Sequence, residues 1–226
     1  MLDYLKGKIY NIIDKKKILI DANKYHIAKY LPEKSIILEA GAFDGNDTLQ
    51  MATFWKDSTI HSFEPIDSLN SEIKKKIKKY SNVNLYKLGL SNHTGTSSFF
   101  ISEGLSTASS SILKPKEHLN FHPDVKFEKS IQIEALTIDD WANKFNIHRI
   151  DLMWLDLQGA EPSILKASPK MLAKTKIIFT EVSLKEMYQD SMLYPEYRAW
   201  LEQQGFKVVW EDLPYADMGN VLFVRE

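Results

Sequence analysis

The sequence predicts an α/β fold: an open, mostly parallel sheet of seven strands, the last antiparallel, with helices on both faces. Three observations predict it. Short apolar runs alternate with stretches of helical periodicity, the first run empties into Gly41 and Gly45 before a helical pattern begins, and the last two runs are joined by too few residues for a crossover helix. At 226 residues, 44% of them hydrophobic, the chain can bury one sizeable core.

Residues 1–35 read as an N-terminal helical cap, with Leu2, Leu5, Ile9, Ile12 and Ile13 at helical spacing and Pro32 ending the pattern. The domain proper runs over 36–226. Strands are expected over 35–39, 59–63, 83–88, 150–155, 177–182, 206–210 and 220–224. Helices are expected from Asn46, over 66–80, 138–145, 160–172 with Pro162 in the first turn, and 196–204 with Gly205 as the stop. Between about 95 and 133 the rhythm breaks into a hairpin, 96–101 against 130–133, around a Ser/Thr-rich stretch. An insertion of this kind is where a substrate lid is expected.

Charge and composition exclude several classes. The 29 Lys+Arg balance 30 Asp+Glu, which argues against a general nucleic-acid binder. Without cysteine there is no disulfide, thiolate nucleophile or cysteine-bound metal. Asp3, Lys6 and Lys8 interrupt the first ten residues, so no secretory signal is read there, and no apolar run reaches the roughly 20 residues of a membrane span. The expectation is a cytoplasmic protein.

The strand-to-helix turn at Glu39-Ala40-Gly41-Ala42-Phe43-Asp44-Gly45-Asn46 is a nucleotide-type site, because glycine admits a ligand close to the backbone and the helix start offers free N–H groups. The second strand ends in Phe63-Glu64-Pro65, whose carboxylate can accept both hydroxyls of a ribose. The loop departs from G-x-G-x-x-G, and Asp44 adds negative charge where a dinucleotide pyrophosphate needs a neutral cradle. A cationic, phosphate-free cofactor suits these charges, which points to S-adenosylmethionine and away from NAD.

The loop, Phe63-Glu64-Pro65, Leu136-Thr137-Ile138-Asp139-Asp140-Trp141, the run from Ile150 through Asp156-Leu157-Gln158-Gly159-Ala160-Glu161, and Thr180-Glu181-Val182 together resemble the FkbM-type S-adenosylmethionine-dependent methyltransferases. The resemblance runs from about Ile36 to the C-terminus. It implies a Rossmann-like methyltransferase sheet and methyl transfer to a hydroxyl of a sugar, glycan or other small molecule. Gln158 stands where the family usually has glutamate, which motivates an alternative, a catalytically impaired module that binds the cofactor and acts through a partner. On this reading Glu39, Gly41, Ala42, Asp44, Gly45 and Asn46 line the methionine side, Glu64 and Pro65 the ribose and Leu90 and Ser91 the adenine edge. Asp156 and Gln158 sit at the reacting end, where Asp156 is the first candidate for base and Glu181 the second.

Glu161 beside Pro162 reads as a helix-dipole complement. A divalent metal on Asp156 and Glu181 is conceivable on oxygen chemistry alone and is not the expectation. His118 and His122 lack the pattern of a metal pair, although either could accept a proton in the lid. His61 and the tryptophans read as packed residues, Lys74 to Lys79 as a solvated helix end, and Tyr188, Tyr194 and Tyr197 as candidates to flank a sugar ring.

Overall fold

The computed structural model describes the backbone of residues 8–13 and 16–226, with side chains from residue 18 onward. The N-terminal helical expectation is corrected there. Strands β1 (Lys8–Ile13) and β2 (Lys16–Asp21) pair antiparallel, Ile9 opposite Ile20, and only α1 (Ala22–Ala28) is helical. The isoleucines that fit a helical spacing are β-branched, and pairing across a hairpin suits them better than a helix does. The part of that expectation resting on Leu2 and Leu5 lies outside the described residues.

The main sheet collects β3 (Ile36–Ala40), β4 (Thr59–Phe63), β5 (Val83–Tyr86), β9 (Ile150–Leu155), β10 (Thr175–Ser183), β11 (Phe206–Asp212) and β12 (Met218–Arg225). Its order is β11-β12-β10-β9-β3-β4-β5, with β12 antiparallel to both neighbours and the remaining pairs parallel. Period-2 alternation covers both faces. Leu38, Met153 and Ile178 enter one core with Trp141 and Ile164, while Ile37, Leu152, Trp154 and Ile177 enter the other with Met51, Ala52 and Ile27. The strand order reverses between β3 and β9, which leaves a crevice beyond their carboxyl ends.

Helices α2 (Asn46–Phe54) and α3 (Asp67–Lys76) follow β3 and β4, and α5 (Ile138–Lys144) precedes β9. The expected helix over 160–172 is two pieces, α6 (Glu161–Lys166) and α7 (Pro169–Leu172). Pro169 has no N–H to continue the ladder and opens a new helix instead. Helix α8 (Tyr194–Gln203) ends at Gly205, whose φ is 86°.

The expected third strand over 83–88 stops at Tyr86, and Gly89–Leu90 forms β6 in a separate three-stranded sheet with β7 (Gly95–Gly104) and β8 (Val125–Leu136). The hairpin register places Thr96 opposite Glu134 and Ile101 opposite Lys129. The 20 residues between β7 and β8 fold back over the crevice and carry the short helix α4 (His118–Phe121). Backbone bonds from Lys116 N to Met187 O (2.8 Å) and Gln189 N to Lys114 O (2.8 Å) dock this segment on the loop after β10. Among the described residues no helix is long and apolar enough to cross a membrane.

Candidate functional site

Each central strand end continues its ladder by one backbone bond. Asp156 N donates to Ala40 O at 3.0 Å, Ala42 N to Phe63 O at 3.0 Å, and Glu64 N to Tyr86 O at 3.1 Å. Gly41, Glu64 and Asp156 therefore stand side by side at the crevice. At Gly41 φ is 86°, and a Cβ there would lie 1.9 Å from the Asp156 carbonyl oxygen, so only glycine lets β3 and β9 turn away this close together.

Glu64 braces the same turn. Its Oε2 accepts from Phe43 N at 3.0 Å and its Oε1 from Ile66 N at 2.8 Å, which leaves each oxygen a further lone pair toward the crevice. Burial pushes its carboxyl up to about 7 against those two donors. Glu39, fully buried, sits beneath the loop rather than on its open side. Its Oε2 accepts from Thr48 Oγ1 at 2.7 Å and Ser62 Oγ at 2.5 Å, tying α2 to two strands, and burial raises it to about 7.

Of the residues expected at the cofactor, Gly41, Ala42, Asp44, Glu64, Pro65, Leu90 and Asp156 line the crevice. Gly45, Asn46 and Ser91 are not on its wall. Gly45 caps α2 and packs on Ile73, the Asn46 amide bonds Asp44 at 2.5 Å, and Ser91 is buried beside Ser97. The sequence reading missed Asp47, which lines the crevice, and Phe99, Thr107 and Ile112, with which the insertion closes it. Asp47 adjoins the glycine loop and was open to detection, whereas nothing in the Ser/Thr-rich stretch marks its inward residues. Among the described residues, four carboxylates line the crevice and no lysine or arginine does. Lys76, from the run read as solvated, folds back so that its Nζ bonds Asp44 O at 2.5 Å and Asn46 Oδ1 at 3.3 Å, fastening the loop.

A second cavity adjoins the first through Asp156 and Ala108. Asp156, Gln158 and Glu181 form one wall, and His118, Phe121 and His122 face them from the insertion. Gln158, in the left-handed region at φ 55°, donates from Nε2 to Asp156 Oδ1 at 2.8 Å and Glu181 Oε2 at 2.9 Å. Its Oε1 lies 3.1 Å from the Tyr188 hydroxyl, which also reaches Ser109 O at 2.7 Å. Asp156 keeps access to water through the cavities while protein encloses it, and that enclosure raises its carboxyl to about 6. Burial, reinforced by the Asp156 charge, holds Glu181 well above the usual carboxylate range.

Glu161 does more than complement a helix dipole. Its Oε1 accepts from Leu157 N at 2.6 Å, which fixes the turn that presents Asp156 and Gln158. His122 Nε2 pairs with Asp217 Oδ2 at 2.9 Å, pinning the insertion to the β11–β12 connection. Of the three tyrosines only Tyr188 reaches the site. Tyr197 is buried against Trp200 and Phe223, and the Tyr194 hydroxyl bonds Glu211, so neither lines a cavity. Among the described residues no group of three or more His, Asp or Glu side chains is arranged to hold a metal ion.

A family model described as "Methyltransferase FkbM domain" matches residues 39–208. The chain is 30% identical over 162 residues to "2-O-methyltransferase NoeI" of Sinorhizobium fredii, a match covering 70% of this chain and 67% of that protein. It is 25% identical to "Methyltransferase 1" of Beauveria bassiana over 67% of this chain and 64% of that protein, a little under two thirds of its length. Solved structures share the fold: a Methanococcus jannaschii fibrillarin pre-rRNA processing protein (TM-score 0.55, 16% identity, 97% of this chain and 88% of that one) and a Streptococcus thermophilus rRNA methylase (TM-score 0.53, 16% identity, 94% and 99%). The N-terminal domain of EvdMO1, solved with S-adenosylhomocysteine bound, aligns at TM-score 0.50 and 14% identity over 90% of this chain and 79% of that one. The family match spans most of the chain, from the glycine loop through Glu181, so the chain belongs to the FkbM methyltransferase family.

Proposed function

We propose that this chain is an S-adenosylmethionine-dependent O-methyltransferase whose acceptor is a hydroxyl of a sugar, glycan or other small molecule. The observation that carries the cofactor is the crevice wall: beside the tight Gly41 turn it is lined by four carboxylates and, among the described residues, by no basic side chain. Such a wall fits a cationic ligand without phosphates and repels a dinucleotide pyrophosphate. The relative named a 2-O-methyltransferase supports oxygen as the acceptor atom.

When bound, the cofactor supplies an electrophilic methyl group on a sulfonium. Gly41 and Ala42 would hold it against the backbone, and Glu64 would offer its free lone pairs to the ribose hydroxyls. The acceptor enters from the second cavity, which meets the first at Asp156. Asp156, ionised at neutral pH and held by the Gln158 amide, would accept the proton of the acceptor hydroxyl. Glu181, whose carboxyl burial holds well above the usual carboxylate range, orients the acceptor by hydrogen bonding.

Titration calorimetry with S-adenosylmethionine, S-adenosylhomocysteine and NAD tests the cofactor. Binding of both adenosyl ligands is expected, and binding of NAD alone overturns the reading. With an acceptor found by screening glycosides for S-adenosylhomocysteine release, Asp156→Asn is expected to lower turnover by about 100-fold or more; unchanged turnover removes Asp156 as the base.

A further inference from the structure

Helix α1 precedes the residues that match the family, yet its Lys24 bonds a residue that lines the crevice. Two contacts at matching intervals fasten it to the first turns of α2. Asp21 N donates to Gln50 Oε1 at 2.9 Å while Gln50 Nε2 donates to Asp21 Oδ2 at 3.0 Å, and one turn on the Lys24 ammonium bonds Asp47 Oδ1. Lys24 is completely buried, its Nζ 4.2 Å from the centre of the Trp154 ring. A lysine gives up its hydration only against a fixed partner, here a carboxylate and an aromatic face. Asp47 is the outward half of the pair. Its side chain is 42% exposed, it lines the crevice, and its Oδ2 has no donor among the described residues.

Resting on the cofactor reading above, we propose that Asp47, held in place by Lys24, is the carboxylate that receives the α-ammonium of the cofactor's amino-acid end, with Lys24 a positioning residue contributed from outside the family domain. Lys24 occupies one oxygen and sets the rotamer of Asp47, and the other oxygen is presented beside the glycine loop. The pair would make the site select adenosyl ligands that carry an amino acid over those that do not. A role confined to capping α2 or docking α1 would give no such selection.

The test measures binding by calorimetry to the full chain for two ligands: S-adenosylhomocysteine, and 5′-methylthioadenosine, which retains the adenosine and thioether and lacks the amino acid. Asp47→Asn, which preserves shape and removes the charge, is expected to weaken S-adenosylhomocysteine about ten- to a hundredfold and to leave 5′-methylthioadenosine within about twofold. Lys24→Met is expected to show the same selective loss at smaller size, because the carboxylate is present but unanchored. Unchanged 5′-methylthioadenosine affinity certifies a folded crevice in each variant. Equal weakening of both ligands, or no weakening of either, overturns the proposal. Failure of the unmodified protein to bind any adenosyl ligand refutes the cofactor reading instead, so the two failures are separable.

Discussion

Gln158 is the position at which the wall of the second cavity can be tested most directly. Its amide nitrogen bridges Asp156 and Glu181, and its carbonyl faces the Tyr188 hydroxyl. Gln158→Glu exchanges that bridging donor for a third acid between two others. At about 4 Å and an effective dielectric of 20 each new carboxylate pair would repel by about 4 kcal/mol, so the introduced group takes up a proton instead. The cost of protonating a glutamate whose unfolded pKa is about 4.3 is then about 4 kcal/mol at pH 7.5 and about 1 kcal/mol at pH 5. The sign follows from linkage. A carboxyl raised in the folded state costs nothing below its unfolded pKa, and its penalty grows as pH rises toward its folded pKa. Urea unfolding of both proteins at pH 5 and pH 7.5 is the assay, with Gln158→Met as the uncharged control that loses the donors and adds no acid. A Gln158→Glu penalty that exceeds the control at pH 7.5 and shrinks by about 3 kcal/mol at pH 5 is expected. The same penalty at both pH values would mean that the amide does not separate acids.

Gly41→Ala places a methyl group 1.9 Å from the Asp156 carbonyl at a φ of 86°, and is expected to destabilise by at least ~1–3 kcal/mol and to abolish cofactor binding, read by thermal unfolding and calorimetry. Glu64→Ala removes the acceptor of two backbone amides and of the ribose, so S-adenosylhomocysteine affinity is expected to fall by ~1–3 kcal/mol; unchanged affinity would place the ribose elsewhere. Burial lowers His61 to about 4, with Nδ1 2.9 Å from the Tyr86 hydroxyl. Because that value is depressed in the folded state, its contribution is complete above 6.5 and is lost as pH falls through 4, a change of about 3 kcal/mol. His61→Phe is therefore expected to flatten the decline in stability between pH 6.5 and 4, and parallel pH curves would contradict this.

Some motifs that carried the family resemblance are scaffolding. In Thr137-Ile138-Asp139-Asp140-Trp141 the Thr137 hydroxyl caps α5 by accepting from Asp140 N at 3.0 Å, and Asp139 receives Lys170 N and Met171 N at 3.1 and 2.8 Å at the start of α7. Trp141 is buried edge-on to Phe63 and His61. These residues hold the helix layer that backs the site and touch neither cavity.

Local chemistry by itself determined the alternation of strands and helices, the Gly41 turn, and the placement of Glu64 and Asp156 at strand ends, whereas β10 runs two residues past Glu181. Each follows from periodicity, a conformational demand, or an acid interrupting an apolar run, all of which are written in neighbouring residues. The tertiary structure alone decided which acids meet. Gln158 and Glu181, 23 residues apart, converge through β9–β10 pairing, and Lys24 finds Asp47 only because α1 packs under α2. It also decided that 8–13 and 16–21 pair as antiparallel strands, that Glu39 lies beneath the loop, and that the insertion forms the far wall of both cavities. Contacts of that kind depend on loop closure and packing between distant segments, and no local pattern encodes them.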